Sequence, residues 1–140
     1  MLFRSTTPQY PRCLAIREYI RQQGWSGPLG IGGIHVTSDP DGVVADQWEG
    51  ACAGEGERAA IQMLEDLHNG GLRGLYTMPL VKDLDSLGHP ARHLLDIRSY
   101  KYEVGGRAAT TTFSQRGCVY RCSFCESPLE IGRASCRERV

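Results

Sequence analysis

The hydrophobic pattern of the first seventy residues alternates between helical and strand spacing. Residues 10–23 predict a helix, because apolar side chains recur along one of its faces at Cys13, Ile16, Tyr19 and Ile20. A second amphipathic helix is predicted from Glu57 onward, and the sequence Asn69-Gly70-Gly71 stops it. Its apolar stripe is formed by Ala60, Ile61, Leu64, Leu67 and His68.

Two short apolar runs between these helices predict buried parallel strands. Residues 28–31 lead into the turn Gly32-Gly33, which residues 34–36 follow, and residues 51–53 end at the turn Gly54-Glu55-Gly56-Glu57. Helix, strand, helix, strand and helix in this order predict an α/β fold with an open, Rossmann-like parallel sheet. Ligands of such sheets bind beyond the carboxyl ends of the strands. The two glycine turns fall there, so they are candidate ligand loops.

The pattern changes after residue 71. Residues 72–106 are short mixed stretches interrupted by proline and glycine, which predict a connector with a short helix near residues 91–96. The β-branched and apolar run 108–113 predicts a strand. That strand leads directly into three cysteines within eight residues, Cys118, Cys122 and Cys125.

Composition and charge narrow the class of protein. The 140 residues are 41% hydrophobic and 23% charged, which is typical of a globular domain. Sixteen basic and sixteen acidic side chains cancel, so no global positive field favours nucleic acid or an anionic membrane. No apolar run approaches the roughly 20 residues that span a bilayer. We therefore expect a cytoplasmic protein with neither a membrane nor a nucleic acid as partner.

The three clustered cysteines have the spacing of metal ligands. Cysteine thiolates are the usual ligands of iron–sulfur clusters, and three of them leave one iron of a four-iron cluster open to a cosubstrate. Structural zinc is the alternative, but it prefers four ligands, often two Cys-x-x-Cys pairs. A zinc site here would need His89 or His93 from upstream. We interpret the motif as a 4Fe-4S site and keep zinc as the alternative.

The cysteine motif resembles the signature of the radical S-adenosylmethionine (SAM) superfamily. The resemblance rests on Cys118-x-x-x-Cys122-x-x-Cys125, with Phe124 before the last cysteine and a predicted strand before the first. It implies that the three cysteines hold a 4Fe-4S cluster, that SAM chelates the open iron, and that Phe124 lies near the adenine of SAM. It also implies an enzyme in which an electron from flavodoxin or ferredoxin cleaves SAM and starts radical chemistry on a small-molecule substrate.

Sequence upstream of the cysteines is similar to the cobalamin-binding-domain members of that superfamily. The stretches GGIHVTSDP, ADQWEGACAGEGE and KDLDSLGHPARHLL carry this resemblance, which extends over residues 5–128. It implies that residues 1–71 are the C-terminal half of a Rossmann-like cobalamin-binding domain and that residues 72–106 are a connector. Residues 107–129 would then be the first strand and cluster loop of a partial (β/α) barrel.

The same resemblance implies which residues contact cobalamin. Gly32 and Gly33 would let the backbone approach the nucleotide tail, which is what paired glycines permit. Ser5 or Thr6 would supply a hydroxyl to the same tail. Glu55 would belong to a cofactor loop, although it would equally suit the start of the following helix, where the helix dipole favours negative charge.

The sequence also leads to an expectation about each end of the chain. Residues 130–140, EIGRASCRERV, show no apolar periodicity and resemble a translated sequencing-adapter tail. We therefore expect the natural chain to continue past Leu129, and the first half of the cobalamin-binding domain to precede Met1. On this interpretation the 140-residue fragment alone is inactive.

Three hypotheses for the function follow. The first is cobalamin-dependent radical SAM chemistry, such as methyl transfer, oxidative cyclisation or rearrangement of a small molecule. The second is a methylthiotransferase acting on tRNA, but its second cluster needs three N-terminal cysteines and only Cys13 and Cys52 are present. The third is a zinc- or cluster-binding module without catalysis.

Overall fold

A parallel four-stranded sheet forms the centre of the fold, in the order β1-β2-β3-β4. The computed structural model describes residues 1–111, 115–118, 120, 122–123 and 133–135. The strands of the sheet are β1 (Leu2–Arg4), β2 (Gly30–Gly32), β3 (Gly50–Ala53) and β4 (Gly74–Thr77). All three neighbouring pairs are parallel. The prediction of an α/β fold with a parallel sheet is confirmed.

Helices connect each strand to the next. They are α1 (Tyr10–Gln22), α2 (Ile34–Ser38), α3 (Pro40–Ala45) and α4 (Gly56–His68). Helix α1 lies between β1 and β2, α2 and α3 between β2 and β3, and α4 between β3 and β4. The bounds of the two long helices were predicted from their periodicity, and both match the structure to within a residue.

The stripe predicted for α4 is wrong as its buried face, because Ile61, Leu64 and Leu67 are exposed. The residues of α4 that pack on the sheet are Ala59 and Met63. In α1, Cys13 is buried as predicted, whereas Ile16 and Tyr19 are exposed.

The sheet is packed on both faces. Phe3, Ile31 and Ala51 are paired neighbours in β1, β2 and β3, and they pack with α1, α2 and α3. The buried members of this first core are Tyr10, Cys13, Leu29, Ile31, Val36, Val43, Trp48, Ala51 and Ala53. A second core, Cys52, Ala59, Met63 and Tyr76, packs α4 against the other face.

Glycines on the α4 face let the helix approach the sheet closely. A Cβ on Gly30 would lie 2.9 Å from Cε of Met63, and one on Gly50 would lie 2.7 Å from the same atom. At distances this short the flexible end of the Met63 side chain would have to move away. The bare backbone at positions 30 and 50 therefore makes room for Met63.

Four segments differ from the sequence-based expectation. Strands β1 and β4 were not predicted, and β4 extends the sheet past residue 71, where the connector was expected to begin. Residues 34–36, for which no helix was predicted, begin helix α2 after the predicted turn, where Gly33 has φ +103°. The expected helix near residues 91–96 is a 3₁₀ turn, Arg92–Leu94.

The rest of the chain forms short local elements. Two further 3₁₀ turns, Leu84–Ser86 and Ile97–Tyr100, precede a hairpin of β5 (Glu103–Val104) and β6 (Arg107–Ala108). Of the strand predicted over residues 108–113, only Ala108 is in a strand; residues 109–111 are not, and 112–113 lie outside the described residues.

Close to the cysteines, β7 (Gln115–Gly117) pairs antiparallel with β8 (Arg133–Ser135), which belongs to the predicted tail. The barrel, the tail and the domain boundaries stay predictions. Across the part of the chain that the structure describes, no helix has the length and apolar character needed to cross a bilayer.

Candidate functional site

A cavity of about 520 Å³ lies beside the carboxyl ends of β2 and β3. Its wall includes both predicted ligand turns, with Gly32, Gly33 and Glu55 among the lining residues. Side chains of α4 contribute Ala60 and Met63, and Arg116 comes from β7. This volume is in the range of small-molecule binding sites. The fold thus brings three of the predicted cofactor-binding residues to one cavity.

The two glycines of the first turn differ in their surroundings. A Cβ on Gly32 would meet only Cys52, at 3.5 Å from its Cβ and 3.6 Å from its carbonyl oxygen, which is ordinary contact. A Cβ on Gly33 would lie 2.7 Å from the carbonyl oxygen and 3.0 Å from the nitrogen of Ser5. Gly33 therefore has a packing requirement of its own, whereas a Cβ at Gly32 would make only ordinary contacts.

Ser5 and Thr6, the predicted hydroxyl donors to a cofactor tail, lie beside the turn and not in the cavity wall. Ser5 is buried, and its hydroxyl donates to the carbonyl oxygen of Thr6 at 2.9 Å. Its backbone N–H donates to the carbonyl oxygen of Gly32 at 2.9 Å. Thr6 is exposed and bonds the side chain of Gln9. Their cofactor role stays a prediction.

Thr37 links the two turns, and sequence analysis did not identify it. Its hydroxyl oxygen accepts the backbone N–H of Gly54 at 2.8 Å and donates to the carbonyl oxygen of Gly33 at 3.3 Å. The second bond is the four-residue back-bond that threonine often makes in helices. The only sequence signal was that spacing from Gly33, which does not reveal the contact with Gly54.

Glu55 joins three segments of the chain. It precedes α4 without a side-chain cap bond, and its carboxylate accepts the backbone N–H of Val81 at 2.6 Å. The other carboxylate oxygen lies 3.2 Å from Nη1 of Arg116. The Glu55 side chain is only 7% exposed, and these two donors satisfy its buried carboxylate oxygens. Glu55 therefore fixes the connector and the segment before the cysteines to the cavity rim.

Glu57 and Arg116 form the exposed part of the same rim. The hydrogen bond from Arg116 holds the pKa of Glu57 below its usual range, although partial burial opposes this. The same bond raises the pKa of Arg116.

Burial, and then the charge of Glu57, raise the pKa of the Cys52 thiol. A protonated, buried thiol is a poor metal ligand, which fits the interpretation of Cys52 as a core residue.

Of the three predicted cluster ligands, the structure describes two. Cys118 and Cys122 are free and exposed. Cys125 and Phe124 lie outside the described residues. Within the described ranges, no group of three His, Cys, Asp or Glu side chains has the geometry to hold a metal ion. The cluster therefore stays a prediction that rests on cysteine spacing.

Comparison with known proteins finds two methyltransferases. An uncharacterised methyltransferase of Pyrococcus horikoshii is 27% identical over 120 residues, covering 74% of this chain and 26% of the relative. The bacteriochlorophyllide d C-8(2)-methyltransferase of Chlorobaculum tepidum is 27% identical over 132 residues, covering 92% of this chain and 28% of the relative. No protein-family model matches, and neither does any solved structure. The chain is thus similar to two methyltransferases and spans about a quarter of the length of each.

Proposed function

We propose that this chain is the part of a methyltransferase that carries the SAM-cleaving 4Fe-4S site and one side of a cobalamin site. Both relatives are named methyltransferases, which supports methyl transfer. One observation carries the proposal further. Arg116 lines the cavity that the two glycine turns form, and Cys118, the first cysteine of the motif, follows it by two residues.

The cavity suits the nucleotide tail of cobalamin in size and lining. Its 520 Å³ accommodates a nucleotide-sized group and not a whole corrin. The backbone at Gly32 is open to a ligand, since a Cβ there would contact only Cys52. The bridge through Thr37 keeps the turns at Gly33 and Gly54 in fixed relative positions. The tail would lie between these turns.

The donor chemistry of the cysteine motif suits a 4Fe-4S cluster with one open iron. Cys118 and Cys122 are exposed free thiols, and Cys125 follows at the spacing of the motif. When bound, the cluster supplies the electron that breaks a carbon–sulfur bond of SAM. We propose a small-molecule substrate and flavodoxin or ferredoxin as the electron donor.

The methylthiotransferase alternative gains no support from the structure. Its second cluster would need exposed N-terminal thiols close together. Cys13 and Cys52 are both buried, and they belong to separate cores on opposite faces of the sheet. No observation favours it over methyl transfer.

Reconstitution of the full-length protein tests the proposal. After incubation with iron, sulfide and hydroxocobalamin, we expect about four irons per chain, the content of a 4Fe-4S cluster. Dithionite and SAM should then yield methionine and 5′-deoxyadenosine. Stoichiometric zinc uptake with no SAM cleavage would instead identify a structural metal-binding module.

Filling the open backbone at position 32 is expected to weaken cobalamin binding without unfolding the protein. Gly32→Leu places a branched side chain in the cavity wall, whereas Gly32→Ala adds only a Cβ in ordinary contact with Cys52. A clash that costs about 1.4 kcal/mol or more of binding free energy lowers the affinity about tenfold or more. Hydroxocobalamin titration should show this loss for the leucine variant and little change for the alanine control. Unchanged affinity in both would place the tail elsewhere.

A further inference from the structure

The side chain of Arg116 bridges two carboxylates of the turn Gly54–Glu57. Its Nη1 lies 3.2 Å from Oε1 of Glu55, and its Nη2 hydrogen-bonds Oε1 of Glu57. These residues are 61 and 59 positions apart in the chain, so the contacts join distant segments. We name this group, Arg116 with Glu55 and Glu57, the rim ion pairs.

The rim ion pairs are anchored on their buried side. Glu55 is 7% exposed at its side chain and also accepts the backbone N–H of Val81 at 2.6 Å. Glu57 is 39% and Arg116 31% exposed. A buried carboxylate with two donors holds its partner in a defined position, since charged hydrogen bonds are stronger and more directional than neutral ones. The exposed pair with Glu57 contributes little stability of its own.

We propose that Arg116 is a positioning residue that fixes the cysteine loop against the cavity rim. Arg116 is in β7, and Cys118 follows two residues later. The ion pairs of the guanidinium therefore limit the positions that Cys118 can take. The rim ion pairs then set the distance between a cofactor in the cavity and a cluster on the cysteines. This inference rests on the proposed function. It names a residue beyond the three ligands as necessary for the geometry.

Arginine suits this role in a way that lysine does not. Its planar fork presents two nitrogens to two carboxylates at once, whereas an ammonium is a single point charge. The structure uses both nitrogens, one for each glutamate. We therefore expect Arg116→Lys to keep the charge of the site and lose the defined position of the segment.

The test uses the full-length protein and two readouts. The first is amide hydrogen exchange of the peptide containing residues 115–118 in iron-free protein. We expect exchange about threefold faster or more in Arg116→Ala, the scale of a lost ion pair. The second is the distance, by pulsed electron paramagnetic resonance, between added cob(II)alamin and the dithionite-reduced cluster. We expect one narrow distance in the unmodified protein and a broad distribution in Arg116→Ala and Arg116→Lys.

A charge-exchanged variant distinguishes a positioning role of Arg116 from a general loss of structure caused by its substitution. Arg116→Glu combined with Glu57→Arg keeps two carboxylates and one guanidinium at the rim, and we expect it to restore most of the slow exchange and the narrow distance. The control is Arg73→Ala, which removes another arginine–carboxylate pair, with Asp66, whose members do not line the cavity. It should leave both readouts unchanged at residues 115–118.

Two results would overturn the inference. One is unchanged exchange in Arg116→Ala; the other is altered exchange with an unaltered cluster–cobalamin distance. Failure of the proposed function looks different, because the unmodified protein would then take up no cluster or no cobalamin. In that case the exchange measurement, which needs neither group, still decides whether Arg116 holds the segment.

Discussion

Replacing any one of Cys118, Cys122 and Cys125 by alanine is expected to abolish SAM cleavage. In the proposed 4Fe-4S site the motif supplies three thiolates, and an open-iron cluster has no spare ligand to replace a lost one. Even partners that only orient metal ligands change affinity or activity by about 10–100-fold when removed, so loss of a ligand itself should exceed about 100-fold. Iron content after reconstitution and the yield of 5′-deoxyadenosine measure the effect.

The two buried cysteines provide matched controls. Cys13 and Cys52 lie in the two cores, and each is less than a tenth exposed. Cys13→Ala and Cys52→Ala should retain iron and SAM cleavage, with only a modest loss of stability from the smaller side chain. If either control lost the cluster as completely as Cys118→Ala, the assignment of ligands by spacing would be wrong.

The parts of the fold that follow from local pattern were predictable. The helical spacing of apolar residues, with glycines after it, predicted the bounds of α1 and α4, and α1 has Pro11 in its first turn. That spacing did not identify the buried face of α4, because Ile61 and Leu64 are exposed and Met63 is buried. Strands β1 and β4 are as short as β2 and β3, but they lie at the edges of the sheet and are less buried, so they lack a clear apolar run. Their strand state comes from pairing with β2 and β3, which no local window contains. Pairing with a neighbour decides such edge strands.

The candidate site also has parts that local sequence pattern predicts and parts that it does not. The glycine turns were predicted as ligand loops because carboxyl ends of parallel strands share one edge of the sheet. The cysteine motif was assigned from its spacing and stays a prediction. The salt bridge from Arg116 to Glu55 joins residues 61 positions apart, and the Thr37 contact with Gly54 spans 17. Contacts of that kind depend on the assembled fold, so a single sequence does not reveal them.

Gly33→Ala is expected to destabilise the protein by about 3 kcal/mol. Gly33 has φ +103° and ψ −175°, a region that is essentially restricted to glycine and costs other residues about 1–3 kcal/mol. The new Cβ would also lie 2.7 Å from the carbonyl oxygen of Ser5, which is backbone and cannot rotate away. Because a domain is stable by only about 5–15 kcal/mol, this loss should be plain in urea denaturation.

Gly54→Ala is the matched control, because it separates the two causes of that loss. Gly54 has φ +86°, but a Cβ there would meet no atom within 4 Å. It should therefore cost about 1–2 kcal/mol from backbone conformation alone. Equal losses in both variants would show that Ser5 can shift away from the turn. A larger loss at Gly33 would show that β1 is held rigidly there, because Ser5 donates to Gly32 and accepts from the backbone N–H of His35. In that case the packing of Gly33 on Ser5 fixes the position of the cavity wall at Gly32. Gly33→Ala should then weaken cobalamin uptake more than Gly54→Ala does.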